Sequence, residues 1–206
     1  MPTPTTMRAR ARVEHASAPL VGQDAHSAEL TLEGSRGALV FYRRDRAECE
    51  RRRRQAAAPL GIEDLATLLQ LPADLPLRAD TLPPPVRDQL AKLPRGAVTW
   101  TGALVCRRAV RPLAVDLVVV RARSTHWDQG LARASRFKPF ARRALLVDAP
   151  ASQRQDLLMQ AAFYGIGILE PTPEGLAWAL PPEAYRPARH TPAAWHFTEK
   201  LHARLP

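Results

Sequence analysis

Residues 113–122 read Leu-Ala-Val-Asp-Leu-Val-Val-Val-Arg-Ala, and few folds accommodate such a run. In an extended chain successive side chains point to opposite faces. Leu113, Val115, Leu117 and Val119 then share one side with Arg121 and Arg123, and Ala114, Val118, Val120 and Ala122 share the other with Asp116. Both sides are apolar until residue 120. A strand of this kind belongs inside a sheet that helices cover on both faces.

The flanking segments supply the rest of such a sheet. Residues 97–106 read as a strand, and the turn 107–112 makes them an antiparallel partner for 113–122. A helix is predicted from Ser124 to about Phe137, with Thr125 and Asp128 at capping-box spacing and Pro139 as its stop. A strand at 143–147 follows, then a helix over 152–164 with Leu157, Leu158, Ala161 and Ala162 on its apolar side. Gly165 sits where a left-handed cap belongs, ahead of a strand at 166–169 and an edge strand at 176–180. A C-terminal helix is predicted over 191–205, with Ala193, Phe197, Leu201 and Leu205 as its stripe. The order points to an α/β fold: a mixed sheet of four or five strands with flanking helices.

Upstream, residues 1–18 are rich in Thr, Pro, Ala and Arg and read as a flexible tail. Residues 28–42 read as a hairpin with a four-residue loop at 34–37, and helices are predicted over 44–58, 62–71 and 86–93 with a proline-studded connection at 72–85. The expected division is a tail (1–18), a small N-terminal α+β part (19–94), an α/β core (95–182) and a C-terminal arm and helix (183–206). That last segment carries Arg186 and Arg189 among prolines. It reads as an arm that packs its helix back on the domain, or as a homodimer contact.

Charge narrows the function. The 206 residues hold 30 Lys and Arg against 20 Asp and Glu, a formal charge of +10, and only Lys92, Lys138 and Lys200 are lysines. Codon usage accounts for a preference for arginine, but not for an excess over acids. Ten basic residues fall between Arg107 and Arg143, with Asp116 and Asp128 as the only acids there. A solvated face normally mixes signs, so this segment suits phosphate, which the planar guanidinium fork grips with paired hydrogen bonds. Arg51–Arg54, in a run that also holds Asp45, Glu48 and Glu50, read first as a solvated helix face and second as an addition to the nucleic-acid surface. Trp127, beside Arg123 and His126, is a candidate base-stacking residue.

Other chemistries find little footing. Cys49 and Cys106 make neither a CxxC pair nor a disulfide framework, and the six histidines show no HExxH spacing. No cofactor is expected. No apolar run is long enough for a membrane span and no signal peptide is recognised at the N-terminus, so a cytoplasmic, nucleoid-associated protein is expected, without a membrane partner.

The run VVVRARSTHWDQGLARASRFKPFARRALLV, followed by AAFYGIGILE, resembles the core of the PD-(D/E)XK nuclease-like superfamily over about residues 97–170. The resemblance implies a restriction-endonuclease-like fold in which a strand ends in an acid–x–lysine pair beside a metal site. The matching positions here are Arg121 and Arg123, and Trp100–Thr101–Gly102–Ala103 stand where the family's other acid is expected. Guanidinium groups repel a divalent cation and offer it no lone pair. The expectation is a pseudo-nuclease, non-catalytic, that binds nucleic acid (DNA ahead of RNA) through Arg121, Arg123, Trp127, Arg133, Arg136, Lys138, Arg142 and Arg143. Two alternatives remain open: a metal-dependent nuclease with a migrated acid (Asp116, Asp148 or Glu170), and a basic scaffold for an acidic protein.

Overall fold

The computed structural model describes residues 4–151, 154–186 and 190–205. In chain order it contains α1 (Pro4–Ser17), β1 (His26–Leu32), β2 (Ser35–Arg44), α2 (Arg46–Gln55), α3 (Ile62–Leu68), β3 (Pro76–Arg78), α4 (Pro84–Lys92), β4 (Val98–Thr101) and β5 (Leu104–Arg107). There follow β6 (Leu113–Ala122), α5 (Trp127–Ser135), β7 (Arg142–Val147), α6 (Gln155–Tyr164), β8 (Ile166–Thr172), β9 (Gly175–Leu180) and α7 (Pro192–His202). The chain forms two compact units. One comprises Met1–Arg43 and Val115–Pro187, the other Arg44–Ala114 and Ala188–Pro206.

The first unit is α/β. Its sheet has six strands in the order β1-β2-β6-β7-β8-β9; β6, β7 and β8 are parallel, and β1/β2 and β8/β9 are antiparallel pairs. β6 is interior, as its two apolar faces require. On one face Leu117 and Val119 join Leu39, Phe41, Ala144 and Leu169 under Val13 of α1. On the other, α5 lies close at Gly130, where a Cβ would come within 2.6 Å of Ala122 Cβ and 2.7 Å of Leu145 Cδ1. Gly165 caps α6 with φ of 65°, as expected.

Several expectations change. Residues 97–106 are two strands, not one. The chain turns at Gly102 (φ 58°), and β4 pairs with β5 rather than with β6. The true neighbour of β6 on that side is β2, so the sheet recruits 26–44 as well. Within β1/β2 the loop is two residues rather than four. Glu33 (φ 47°) and Gly34 (φ 75°) make the turn that suits the twist of a hairpin. The residues from Pro4 to Ser17 are helical rather than a loose tail, with Val13 1% exposed and Ala16 accepting a hydrogen bond from Trp178 Nε1 at 2.8 Å. The capping box at Thr125 does not form, since the Thr125 hydroxyl meets His126 Nδ1 instead and a 3-10 turn precedes α5. Residues Ser152, Gln153 and Arg189 lie outside the described residues.

The second unit pairs a three-stranded sheet, β3-β5-β4, with α2, α3, α4 and α7. Trp195 of α7 is buried with Leu60, Leu65 and Leu68 around α3, and a second cluster joins Leu71 and Leu90 to Val105 of β5. Arg52 is buried here, contrary to the expected solvated face. It donates to Glu48 at 2.6 Å and to both Glu199 oxygens at 2.6 and 2.7 Å, and Trp195 Nε1 donates to Glu199 at 2.9 Å. Partnered in this way, three charged side chains tolerate burial. No helix among the described residues is long and apolar enough to cross a membrane.

Candidate nucleic-acid interface

Because β6 and β7 are parallel with Ala122 opposite Val147, their C-terminal ends open on the same side of the sheet. Crevices outside such strand ends are where open α/β sheets hold ligands. Here the ends frame an open hollow of about 470 Å³ lined by Arg121, Ala122, Arg123, His126, Gln129, Arg133 and Asp148. Alternation brings Arg121 and Arg123 to it from β6, and α5 presents Gln129 and Arg133 one turn apart.

The hydrogen bonds of these cations go mostly to main-chain oxygens. Arg133 donates to Arg121 O at 3.0 Å and to Gln129 O at 3.3 Å. Arg136 donates to Glu33 O at 2.8 Å, Arg142 to Leu20 O, and Arg143 to Tyr164 O at 2.7 Å. A carbonyl oxygen orients a guanidinium without cancelling its charge. The acids nearby are few. Arg121 faces Glu29 of β1 at 3.6 Å, an ion pair longer than a hydrogen bond, and its buried Nη2 has no hydrogen-bond partner among the described residues. Asp148 accepts the Ser124 N–H at 2.7 Å, and this bond, with Arg123 nearby, holds its carboxyl below the usual range.

The remaining residues singled out by sequence scatter. Arg143 is 7% exposed, and burial depresses its pKa. Arg136 and Arg142 tie loops from their own positions and do not line the hollow. Lys138 is exposed, with no hydrogen bond or ion pair from its side chain to a described residue, and Trp127 is half-buried at the start of α5 and does not line the hollow. Arg107, Arg108 and Arg111 belong to the other unit, where Arg107 lies over the Trp195 ring at 5.6 Å and Arg108 pairs with Asp74 at 3.0 Å. Gln129 and Glu29 were not anticipated. Gln129 could have been found from its one-turn spacing to Arg133; Glu29, almost a hundred positions before Arg121, gives no local signal.

The three acids considered for a migrated metal site are each engaged. Asp116 receives Arg43 through two nitrogens, at 2.9 Å each, and the Gly22 N–H at 3.2 Å. Glu170 accepts from the Ala151 N–H, and Asp148 from Ser124. Among the described residues no three His, Cys, Asp or Glu side chains gather to hold a metal. Comparison with protein-family models, with curated proteins and with solved structures finds no match to this chain.

Proposed function

We propose that this protein associates with nucleic acid, gripping the phosphate backbone at the strand ends of the six-stranded sheet through Arg121, Arg123 and Arg133, without cleaving it. One observation carries the proposal. Arg133 in the hollow gives its hydrogen bonds to carbonyl oxygens, and Arg121 meets Glu29 at 3.6 Å, beyond hydrogen-bond distance, so cationic charge beside Arg123 is left for an anion. Arg136 and Lys138, both exposed, extend the basic surface along the chain after α5.

The β6–α5–β7 crossover, with Arg121 and Arg123 ending its first strand, supports a PD-(D/E)XK-like core whose cation-binding acids have been replaced. The pairing of β4 with β5 removes residues 100–103 as the second strand of that likeness, and β2 takes the place beside β6.

Fluorescence anisotropy with a labelled DNA duplex tests the proposal. Affinity should fall by orders of magnitude between about 50 and 200 mM salt, because bound phosphates release counterions. The Arg123→Ala/Arg133→Ala double variant should bind about tenfold or more weakly and show a shallower salt slope. Affinity indifferent to both changes sinks the proposal. A parallel titration with an RNA duplex decides between the two nucleic acids.

A further inference from the structure

We propose a second anion site, in the unit formed by Arg44–Ala114 and Ala188–Pro206, which takes the phosphate group of a nucleotide or of a nucleic-acid chain in the hollow between α2 and the end of α7.

The hollow has a volume of about 530 Å³ and is lined by Arg44, Arg46, Cys49, Glu50, Arg52, Arg53, Ala56, Ala57 and His202. That size lies within the range of small-molecule sites. Four of its lining residues are arginines and one is an acid. The charges are not equally engaged. Arg52 is balanced in the buried network by Glu48 and Glu199. Arg53 shares Glu50 with Arg54, so a single carboxylate serves two cations there. The Arg46 side chain, exposed in the first turn of α2, makes no hydrogen bond or ion pair to a described residue. The surplus is positive and faces open space.

The other lining groups do not compete for the same ligand. Burial raises the Cys49 pKa, and its sulfur contacts Pro112 O at 3.6 Å, so the thiol stays neutral. His202 is kept less basic by burial and by Arg52 and Arg44, against the opposing pull of Glu199 and Glu48. Its Nδ1 is buried without a hydrogen-bond partner among the described residues. A neutral thiol, an imidazole of lowered basicity and two alanines line the hollow beside its cationic donors. Such a lining sharpens the attraction of those donors for a phosphate, because less water screens it. A metal ion would be repelled by the same arginines.

The full-length protein is titrated at low salt with inorganic phosphate and with ATP, following heat by calorimetry and the His202 ring resonances by NMR. ATP should bind, shifting the His202 signals. The Arg46→Ala/Arg53→Ala variant should bind it about tenfold more weakly, and Glu50→Gln about two- to threefold more tightly, since it removes the competing carboxylate. The ATP-induced shift of the His202 signals should persist in the Arg123→Ala/Arg133→Ala variant, whose changes lie in the other unit. In that background, displacement of ATP by a DNA duplex identifies backbone phosphate as the natural ligand, and failure to displace it identifies a free nucleotide. No binding of ATP or phosphate, or binding insensitive to Arg46 and Arg53, overturns the second site. Loss of ATP binding through Arg123 and Arg133 alone would also overturn it, by assigning the nucleotide to the first hollow. The proposal for the first unit is judged separately, by duplex affinity in the Arg123/Arg133 variant.

Discussion

Arg52 of α2 lies between Glu48 and Glu199, 2.6 Å from each, whereas Arg133 of α5 gives its hydrogen bonds to the carbonyl oxygens of Gln129 and Arg121. Both guanidiniums are hydrogen-bonded, yet only the first is neutralised. The difference separates two meanings of a satisfied arginine. A carboxylate meets both the donors and the charge, and it suits a buried position that holds helices together. A carbonyl meets the donors and leaves the charge to act on whatever approaches. Counting basic residues along the chain cannot tell these apart; the acceptor decides.

The comparison can be broken most forcefully at Glu199. Glu199→Ala should lower the stability of the second unit by about 3–5 kcal/mol in denaturant unfolding, because it leaves Arg52 buried with its two Nη donors stripped of their carboxylate, Glu48 alone to balance it, and Trp195 Nε1 without its acceptor. A loss as small as that of an exposed pair would mean the network is not truly buried. Gly130→Ala should come next, at about 1–3 kcal/mol, since its methyl would press on Ala122 and Leu145 beneath α5. Arg133→Ala should cost about 1 kcal/mol or less, through two exchanged hydrogen bonds, while reducing the salt slope of DNA binding by about 1. A large loss of stability there would erase the contrast with Arg52. Asp148→Asn should leave the fold intact and tighten duplex binding about two- to threefold, by removing the acid that competes for Arg123.

The smallest effects lie in pH. The folded Asp148 carboxyl titrates below its ordinary value of 3.8, so its contribution is complete above that value and disappears as the pH falls through the lower, folded one. His202 acts at higher pH and in the same direction. Unfolded, it takes up a proton near its ordinary 6.5; folded, it resists. Stability of the second unit should therefore begin to fall as the pH drops below 6.5, and His202→Phe should flatten that dependence in thermal unfolding monitored across pH 5–8.

Much of the first unit was legible because its signals are local. The two-sided apolarity of 113–122 places β6 inside the sheet, and Gly165 ends α6 where a left-handed residue is needed. The break at Gly102 was hidden by the continuous apolar character of 97–106, in which a two-residue turn removes no hydrophobic residue from the pattern. α1 escaped notice because its Ala- and Arg-rich sequence shows no clear stripe; it is anchored through the buried Val13, with Ala16 packed against the same cluster. At the candidate site, sequence pointed to Arg121, Arg123 and Arg133, which do meet. It could not separate them from Arg136, Arg142 and Arg143, whose acceptors lie up to 122 positions away.

The second unit has a consequence for how the sheet comes to be built. β2 and β6 are neighbours, yet the chain between them makes up most of another folded body. Within that body the Asp45 N–H donates to Pro112 O at 2.9 Å, fastening its entrance to its exit. To the sheet it is therefore an oversized turn: once it condenses, a closure of some seventy residues shrinks to the reach of a hairpin, and a short peptide bridging those two points should serve the six strands as well.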